Sequence, residues 1–206
     1  MSNQLDSSKV LTDAEDQALL NMLNRSTCRD SLMLRLLRDY GMRCGELLSL
    51  RSCDINPIDK TITIHGSKGS RDREFPLPDD LFERLMAQVR INLIKNNHGY
   101  DKVFPITYRR LCDIWAFWRP AKKGLHSLRH RAAVRLYRQT KDIQFVQRVL
   151  GHKFLITTLI YQEFVYTQDE FRKVFLADSN HGTEPGRALA SDDNLLRFRN
   201  SETGHG

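Results

Sequence analysis

The sequence predicts an α+β fold, predominantly helical, with one small antiparallel β-hairpin. Three observations lead there. Across most of the 206 residues, apolar side chains recur at helical spacing. That periodicity breaks once, at "KTITIHG" and "REFPLP", which alternate on either side of the turn-like "SKGSRD". A hydrophobic content of 40% over this length is enough to bury one ordinary core.

Taken in order, Thr12 is placed to cap a first helix, "DAEDQALLNMLNRS", whose first turn carries the acids that a helix N-terminus favours. "RDSLMLRLLRDYG" predicts a second helix stopping at Gly41. "RCGELLSLRSCDI" resumes as a short helix running to the turn at Asn56-Pro57. The hairpin follows, holding Lys68 near its tip and away from the body. Helices return at "DDLFERLMAQVRINLIKNN", at "TYRRLCDIWAFWRP", from His126 through Arg138 and from Asp142 through Leu150, the last stopped by Gly151. Trp115 and Trp118 fall at helical spacing and read as core or interface aromatics. "TQDEFRKVFLAD" sets Phe171, Val174 and Phe175 on one helical face, and beyond Asp178 the composition turns to Gly, Asp, Asn and Ser. The expected organisation is therefore one domain over residues 1–177 and a disordered tail over 178–206. There is no internal repeat.

Composition narrows the function classes. No apolar run approaches the roughly 18 to 20 residues of a membrane span, and the polar, acidic "MSNQLDSSKVLTDAED" is unlike a signal peptide, so a cytoplasmic protein is expected. Cys28, Cys44, Cys53 and Cys112 are irregularly spaced, without C-x-x-C, and suggest neither a zinc site nor a disulfide framework. The formal net charge is +7, and its distribution matters more than its size. From Lys102 to Lys153 there are 13 Lys and Arg against only Asp113 and Asp142, whereas Asp178 to Gly206 carries three Arg against five acids. A basic block of that density suits a polyanion such as DNA; a solvated basic surface is the alternative.

Inside that block lies "LHSLRHRAAVRLYR", where His126, Arg129 and His130 fall within two turns at the entry to a helix. An H-x-x-x-H metal site would lack a third ligand and would place Arg129 beside the metal. His126 or Ser127 could serve as a helix cap. In the third reading an Arg and a His at a helix N-terminus grip a phosphoryl group, guanidinium donors forking two of its oxygens.

The third reading needs more phosphate ligands and a nucleophile, and both occur in a particular order. "DYGMRCGELLSLR" with Arg43, "HGSKGSRDREFPLP" with Lys68, "HSLRH" with His126 and Arg129, "LGH" with His152, and "TTLIY" with Tyr161 nine residues later resemble the motif series of the tyrosine recombinases, or phage integrase family. The resemblance covers roughly Leu11 to Phe175. It implies a mostly helical catalytic domain with a small β-hairpin sheet, breaking and rejoining double-stranded DNA without metal, nucleotide or other cofactor. It makes Arg43 and Arg129 the phosphate clamp and Tyr161 the nucleophile that forms a 3′-phosphotyrosyl bond. By the same analogy Lys68 protonates the departing 5′-oxygen, His126 moves a proton or binds the phosphate, and His152 hydrogen-bonds a non-bridging oxygen.

Supporting or DNA-binding roles are expected for Glu46, which would buttress Arg43, for Arg71 and Arg73 in the hairpin, for His130, and for Arg131 as an added phosphate contact. Phe154, Leu155 and Ile160 read as an apolar face beside Tyr161, with Thr157 and Thr158 steadying the segment. Tyr166 is the nearby competitor for the nucleophile.

Arg43 comes too early for the additional clamping domain of about a hundred residues found in larger members. The chain is thus similar to compact members such as the fimbrial phase-variation recombinases, and an initiating Met before a helix cap argues against a truncated fragment. The resemblance further implies a homotetramer on two DNA sites with accessory DNA-bending proteins; Phe171, Val174 and Phe175 would either link the protomers or pack on the chain's own core. A non-catalytic DNA-binding regulator on the same fold is the alternative. A type IB topoisomerase or hairpin-forming resolvase would need further domains.

Overall fold

Thr12 starts the first helix by satisfying its free amides. The amide of Glu15 donates to Thr12 Oγ1 at 3.2 Å, while the Thr12 amide donates back to the Glu15 carboxylate at 2.8 Å, closing a capping box. The computed structural model describes residues 6–67, 70–94 and 101–162, all within one unit, Met1–Tyr166. Its helices are α1 Asp13–Asn24, α2 Arg29–Tyr40, α3 Cys44–Ser49, α4 Asp79–Ile94, α5 Tyr108–Trp118, α6 His126–Thr140, α7 Ile143–Leu150 and α8 Ile156–Leu159.

Helix α2 is central because it is buried along most of its length, its charged Arg38 included. Leu32, Met33, Leu34, Leu36 and Leu37 are all buried, and α1, α3, α4 and α6 pack around it. Burial of each such side chain contributes about 1.5–3 kcal/mol relative to exposure, so this helix organises the main core. Gly41 ends it in the left-handed conformation, φ 60°. A Cβ there would stand 2.8 Å from Leu150 Cδ2 and 3.3 Å from Ala132 Cβ, so glycine also lets α6 and α7 approach.

The sheet has three strands rather than two. The helix predicted to run to the Asn56-Pro57 turn stops at Ser49. Asp54 accepts the Arg51 amide at 2.8 Å to shape a 3₁₀ turn over Ser52–Asp54, and β1, Ile55–Asn56, then pairs with β2, Thr61–Ile64. The hairpin partner is β3, Arg73–Pro76, antiparallel to β2 with Ile62 opposite Phe75 and Ile64 opposite Arg73. Ile62 and Ile64 point into the core while Thr61 and Thr63 are half-buried, the alternation expected of a one-sided sheet. A second, smaller cluster gathers Val10, Ala133, Val134, Val146, Leu150 and Tyr161.

Trp115 is buried and donates its indole N–H to the Lys123 carbonyl at 2.7 Å; Trp118 packs partly buried on the same core. All four cysteines are unpaired. Among the described residues no helix is long and apolar enough to cross a membrane.

Candidate active site

Arg43 stands at the N-terminus of α3, just past Gly41 and buried Met42, where the chain leaves the core. Its side chain remains 27% exposed, while that of Glu46, one turn on, is fully buried. Glu46 accepts from Arg43 Nη1 at 3.1 Å and from the Arg43 amide at 2.8 Å. Its other partner is Arg73 of β3, at 2.6 and 3.3 Å. Burial alone would raise the Glu46 pKa, but the Arg73 hydrogen bonds and charge hold it below the ordinary value, so it is a carboxylate at neutral pH. Arg43 Nη1 also donates to Ser70 Oγ at the base of the hairpin loop. Glu46 thus orients two guanidiniums, one facing inward and one open to solvent.

Arg129 comes from the first turn of α6 and is only 2% exposed. It donates to the Gly41 carbonyl at 2.5 Å and the Leu150 carbonyl at 2.7 Å, joining the C-terminal ends of α2 and α7. Those carbonyls are helix-end acceptors without an intrahelical partner, which makes them natural anchors for a buried cation. Burial first, then the like charge of Arg43, lowers the Arg129 pKa to about 10, and it stays protonated at pH 7. Three guanidiniums, Arg43, Arg73 and Arg129, therefore share one carboxylate, leaving a desolvated excess of positive charge.

His152, following Gly151 at the end of α7, is buried and hydrogen-bonds Thr158 Oγ1 through Nδ1 at 2.9 Å. Burial, then Arg129 and Arg43, lowers its pKa to about 3, so the ring is neutral. Gly151 is left-handed, φ 68°, and its carbonyl accepts the Arg71 amide at 3.1 Å, tying the hairpin to this turn. Exposed Arg71, with Arg148 and His152, lines an opening of about 210 Å³.

Tyr161 is 2% exposed and packs in the smaller cluster, yet its hydroxyl lies 3.0 Å from His130 Nδ1. Burial raises the phenol pKa to about 12, while the positive charges of Arg129 and Arg43 pull the other way. His130 in turn packs edge-on against His126, ring centres 4.5 Å apart. Exposed His126 is held below its ordinary pKa, by desolvation first and then by Arg129 and Arg43. No group of three or more His, Cys, Asp or Glu among the described residues is arranged to hold a metal ion.

The fold therefore brings together Arg43, Arg129, His126, His130, His152 and Tyr161, with Glu46 and Arg73 behind them. Lys68, Tyr166 and the segment carrying Phe171, Val174 and Phe175 lie outside the described residues. Two expectations need correction. Arg131 is no phosphate contact: it is buried, pairs with Asp13 and with Asp16 at 3.2 Å, and faces α1. Phe154 is 62% exposed rather than part of an apolar face, whereas Thr158 is fully buried as the partner of His152. The Glu46–Arg73 pair and the His130–Tyr161 bond escape sequence reasoning; the single hint for the latter is that His126 and His130 share a helix face.

A conserved-energy strand exchange would need such an array: a tyrosine hydroxyl beside preorganised guanidiniums and neutral imidazoles. The sequence matches the phage integrase family over residues 9–167. It is 30% identical over 161 residues to tyrosine recombinase XerA of Pyrococcus furiosus, an alignment covering 74% of this chain and 56% of that protein. In fold it is similar to the XerH site-specific recombinase bound to palindromic difH substrate in a post-cleavage complex. That match has TM-score 0.66 and 26% identity, and covers 83% of this chain and 53% of the other. The catalytic domain of bacteriophage HP1 integrase also shares the fold, with TM-score 0.56 and 22% identity over 85% of this chain and 98% of that one. The chain belongs to the phage integrase family of tyrosine recombinases, and it spans about half the length of the XerA relative it matches.

Proposed function

We propose that this chain is the catalytic domain of a site-specific DNA recombinase that cuts and rejoins strands through a 3′-phosphotyrosyl intermediate. The observation that carries the reading is that the Tyr161 hydroxyl is bound 3.0 Å from His130, the residue next to Arg129 on α6, and packs in one cluster with Leu150, whose carbonyl anchors Arg129.

In-line attack on a phosphodiester builds negative charge on the non-bridging oxygens. Arg43 and Arg129, fixed by Glu46 and by two helix-end carbonyls, supply preorganised positive charge there without solvent reorganisation. If the Thr158 hydroxyl donates to His152 Nδ1, the ring keeps Nε2–H as a donor for a phosphate oxygen. Tyr161 forms the covalent bond, and because one phosphate ester replaces another, rejoining requires no energy source. Lys68, by family resemblance, protonates the departing 5′-oxygen.

The partners proposed are double-stranded DNA sites in the cytoplasm, bound through phosphate contacts and so weakened by salt. The assembly is a homotetramer joined through residues 167–178, and accessory DNA-bending proteins set the outcome. The domain reading is a catalytic unit over residues 1–177 and a tail over 178–206.

The test is capture of protein–DNA adducts from a library of nicked duplexes randomised around the nick, under denaturing conditions. Wild type is expected to yield adducts that define its site, and Tyr161→Phe none. Adducts retained by Tyr161→Phe would give the role to another nucleophile. Native binding without any wild-type adduct would favour the non-catalytic DNA-binding regulator.

A further inference from the structure

Resemblance directs attention to His126 as the proton-handling histidine, but the geometry directs it four residues further along α6. The Tyr161 hydroxyl contacts His130 Nδ1, at 3.0 Å, and the two ring centres are 5.8 Å apart. His126 instead lies edge-on against His130 and is exposed. We infer that His130 is the group that holds the Tyr161 phenol in place and accepts its proton as the oxygen attacks phosphorus. The inference rests on the reading of Tyr161 as nucleophile.

Three features of the molecule support this assignment. The first is the state of the ring: desolvation, followed by the charges of His126, Arg129 and Lys9, lowers the His130 pKa to about 4, so at pH 7 it is neutral and Nδ1 can accept. The groups facing it are His126 and Arg129 on its own helix, Lys9 from the turn before α1, and Tyr161 from the segment after α8. All but the tyrosine are cationic or can become so. A DNA phosphate arriving at Arg129 offsets the part of that shift that comes from its charge, and so raises the basicity of His130 at the moment a base is needed, while the part due to burial remains.

The second feature is packing. Tyr161 is held among Val10, Ala133, Val134, Val146 and Leu150, so its hydroxyl has little freedom beyond the His130 bond. The third is an exit for the proton. His130 and His126 both line an open pocket of about 400 Å³ shared with Lys9, Lys122 and Ser127, on the flank leading to solvent. The step balances: the phenol O–H bond breaks as the oxygen–phosphorus bond forms, the proton moves to His130 Nδ1 to give an imidazolium, and the departing 5′-oxygen takes a separate proton from Lys68. The His130 proton then returns to tyrosine on rejoining, or leaves through the pocket.

Two measurements test this, one of them free of DNA. In the free protein, ¹⁵N resonances of His130 are expected to show an Nδ1 acceptor and an Nε2–H. Tyr161→Phe should shift the Nδ1 signal; an Nδ1 signal that does not respond to Tyr161→Phe overturns the proposal whatever the chain does to DNA. With a nicked duplex captured as above, single-turnover adduct formation by wild type should fall as pH drops through the titration of DNA-bound His130. His130→Gln keeps an acceptor but not a base, and it should lose that acid limb and about 10²- to 10⁴-fold in rate. A fluorinated tyrosine of lower phenol pKa at position 161 should restore part of the His130→Gln rate and change wild type little. A His130→Gln enzyme with the wild-type pH profile and no such rescue overturns the proton-accepting role, even where Tyr161 adducts form normally.

Discussion

Two buried carboxylates, Glu46 and Asp16, each lie between arginines, yet their surroundings differ in one respect. Asp16 of α1 is clasped side-on by Arg38 at 2.7 and 2.8 Å and touched by Arg131, and the neighbouring Asp13 and Asp39 neutralise the outer faces of the same arginines. Glu46 is gripped by Arg73 and Arg43 alone, with Arg129 nearby and bound only to carbonyls. The first cluster sets three carboxylates against five arginines, since Asp13 also pairs with Arg138 and Asp39 with Arg35 and Arg135, and it is sealed around Asp16; the second sets one carboxylate against three arginines and is open at Arg43. The first ties α1, α2 and α6 together, while the second stores attraction for an anion supplied from outside.

Removing an arginine from the sealed cluster should produce the largest loss of stability. Arg38→Ala leaves Asp16 buried with Arg131 as its remaining ion-pair partner, for an expected cost of about 3 kcal/mol in urea unfolding, while adduct formation per folded molecule stays near wild type. Arg43→Lys should invert the pattern. A lysine keeps the charge but not the fork, so stability should move by no more than about 1 kcal/mol and the adduct rate by about 10²–10³-fold. If both variants lost stability and rate together, the division between the clusters would not hold.

Acid should strain the open cluster through its histidines. His130 and His152 have folded pKa values of about 4 and about 3, both below the unfolded value of 6.5. Between the folded and unfolded values the unfolded chain binds more protons, so stability is complete above about pH 6.5 and falls as pH drops toward 4. Each group contributes a slope of up to about 1.4 kcal/mol per pH unit. His152→Asn should flatten one such contribution in urea titrations at pH 4.5 and 7, and an unchanged slope would mean the ring is already charged when folded. The smallest effect should come from Thr158→Val, which removes the partner of His152 Nδ1 at a cost of about 0.5–1.5 kcal/mol. Its adduct rate should fall more than its stability, because the His152 tautomer is no longer set.

Much of the open cluster was legible because phosphoryl chemistry demands particular residue types in order, and Arg43, His126, Arg129, His152 and Tyr161 kept that order. What was not legible depends on rotation and register. Arg131 is two residues from Arg129, hence about 200° around α6, which turns it from the phosphate side to α1. Arg73 meets Glu46 only because the hairpin register places Arg73 opposite buried Ile64. A two-residue strand such as β1 is too short to show alternation, and in sequence it reads as a continuation of the preceding helix.

Tyr161 answers to two selections at once, as a packed aromatic and as the proposed attacking group. Phenylalanine fills nearly the same volume, and its cost is roughly the one hydrogen bond to His130, about 1 kcal/mol. On the proposed function, a one-nucleotide codon change would therefore yield a chain that folds, escapes proteolytic surveillance and still recognises DNA, but cannot cut. In a cell holding both alleles, such a chain would accumulate at the same sites as the active one, and the defect would be inherited as interference rather than as absence.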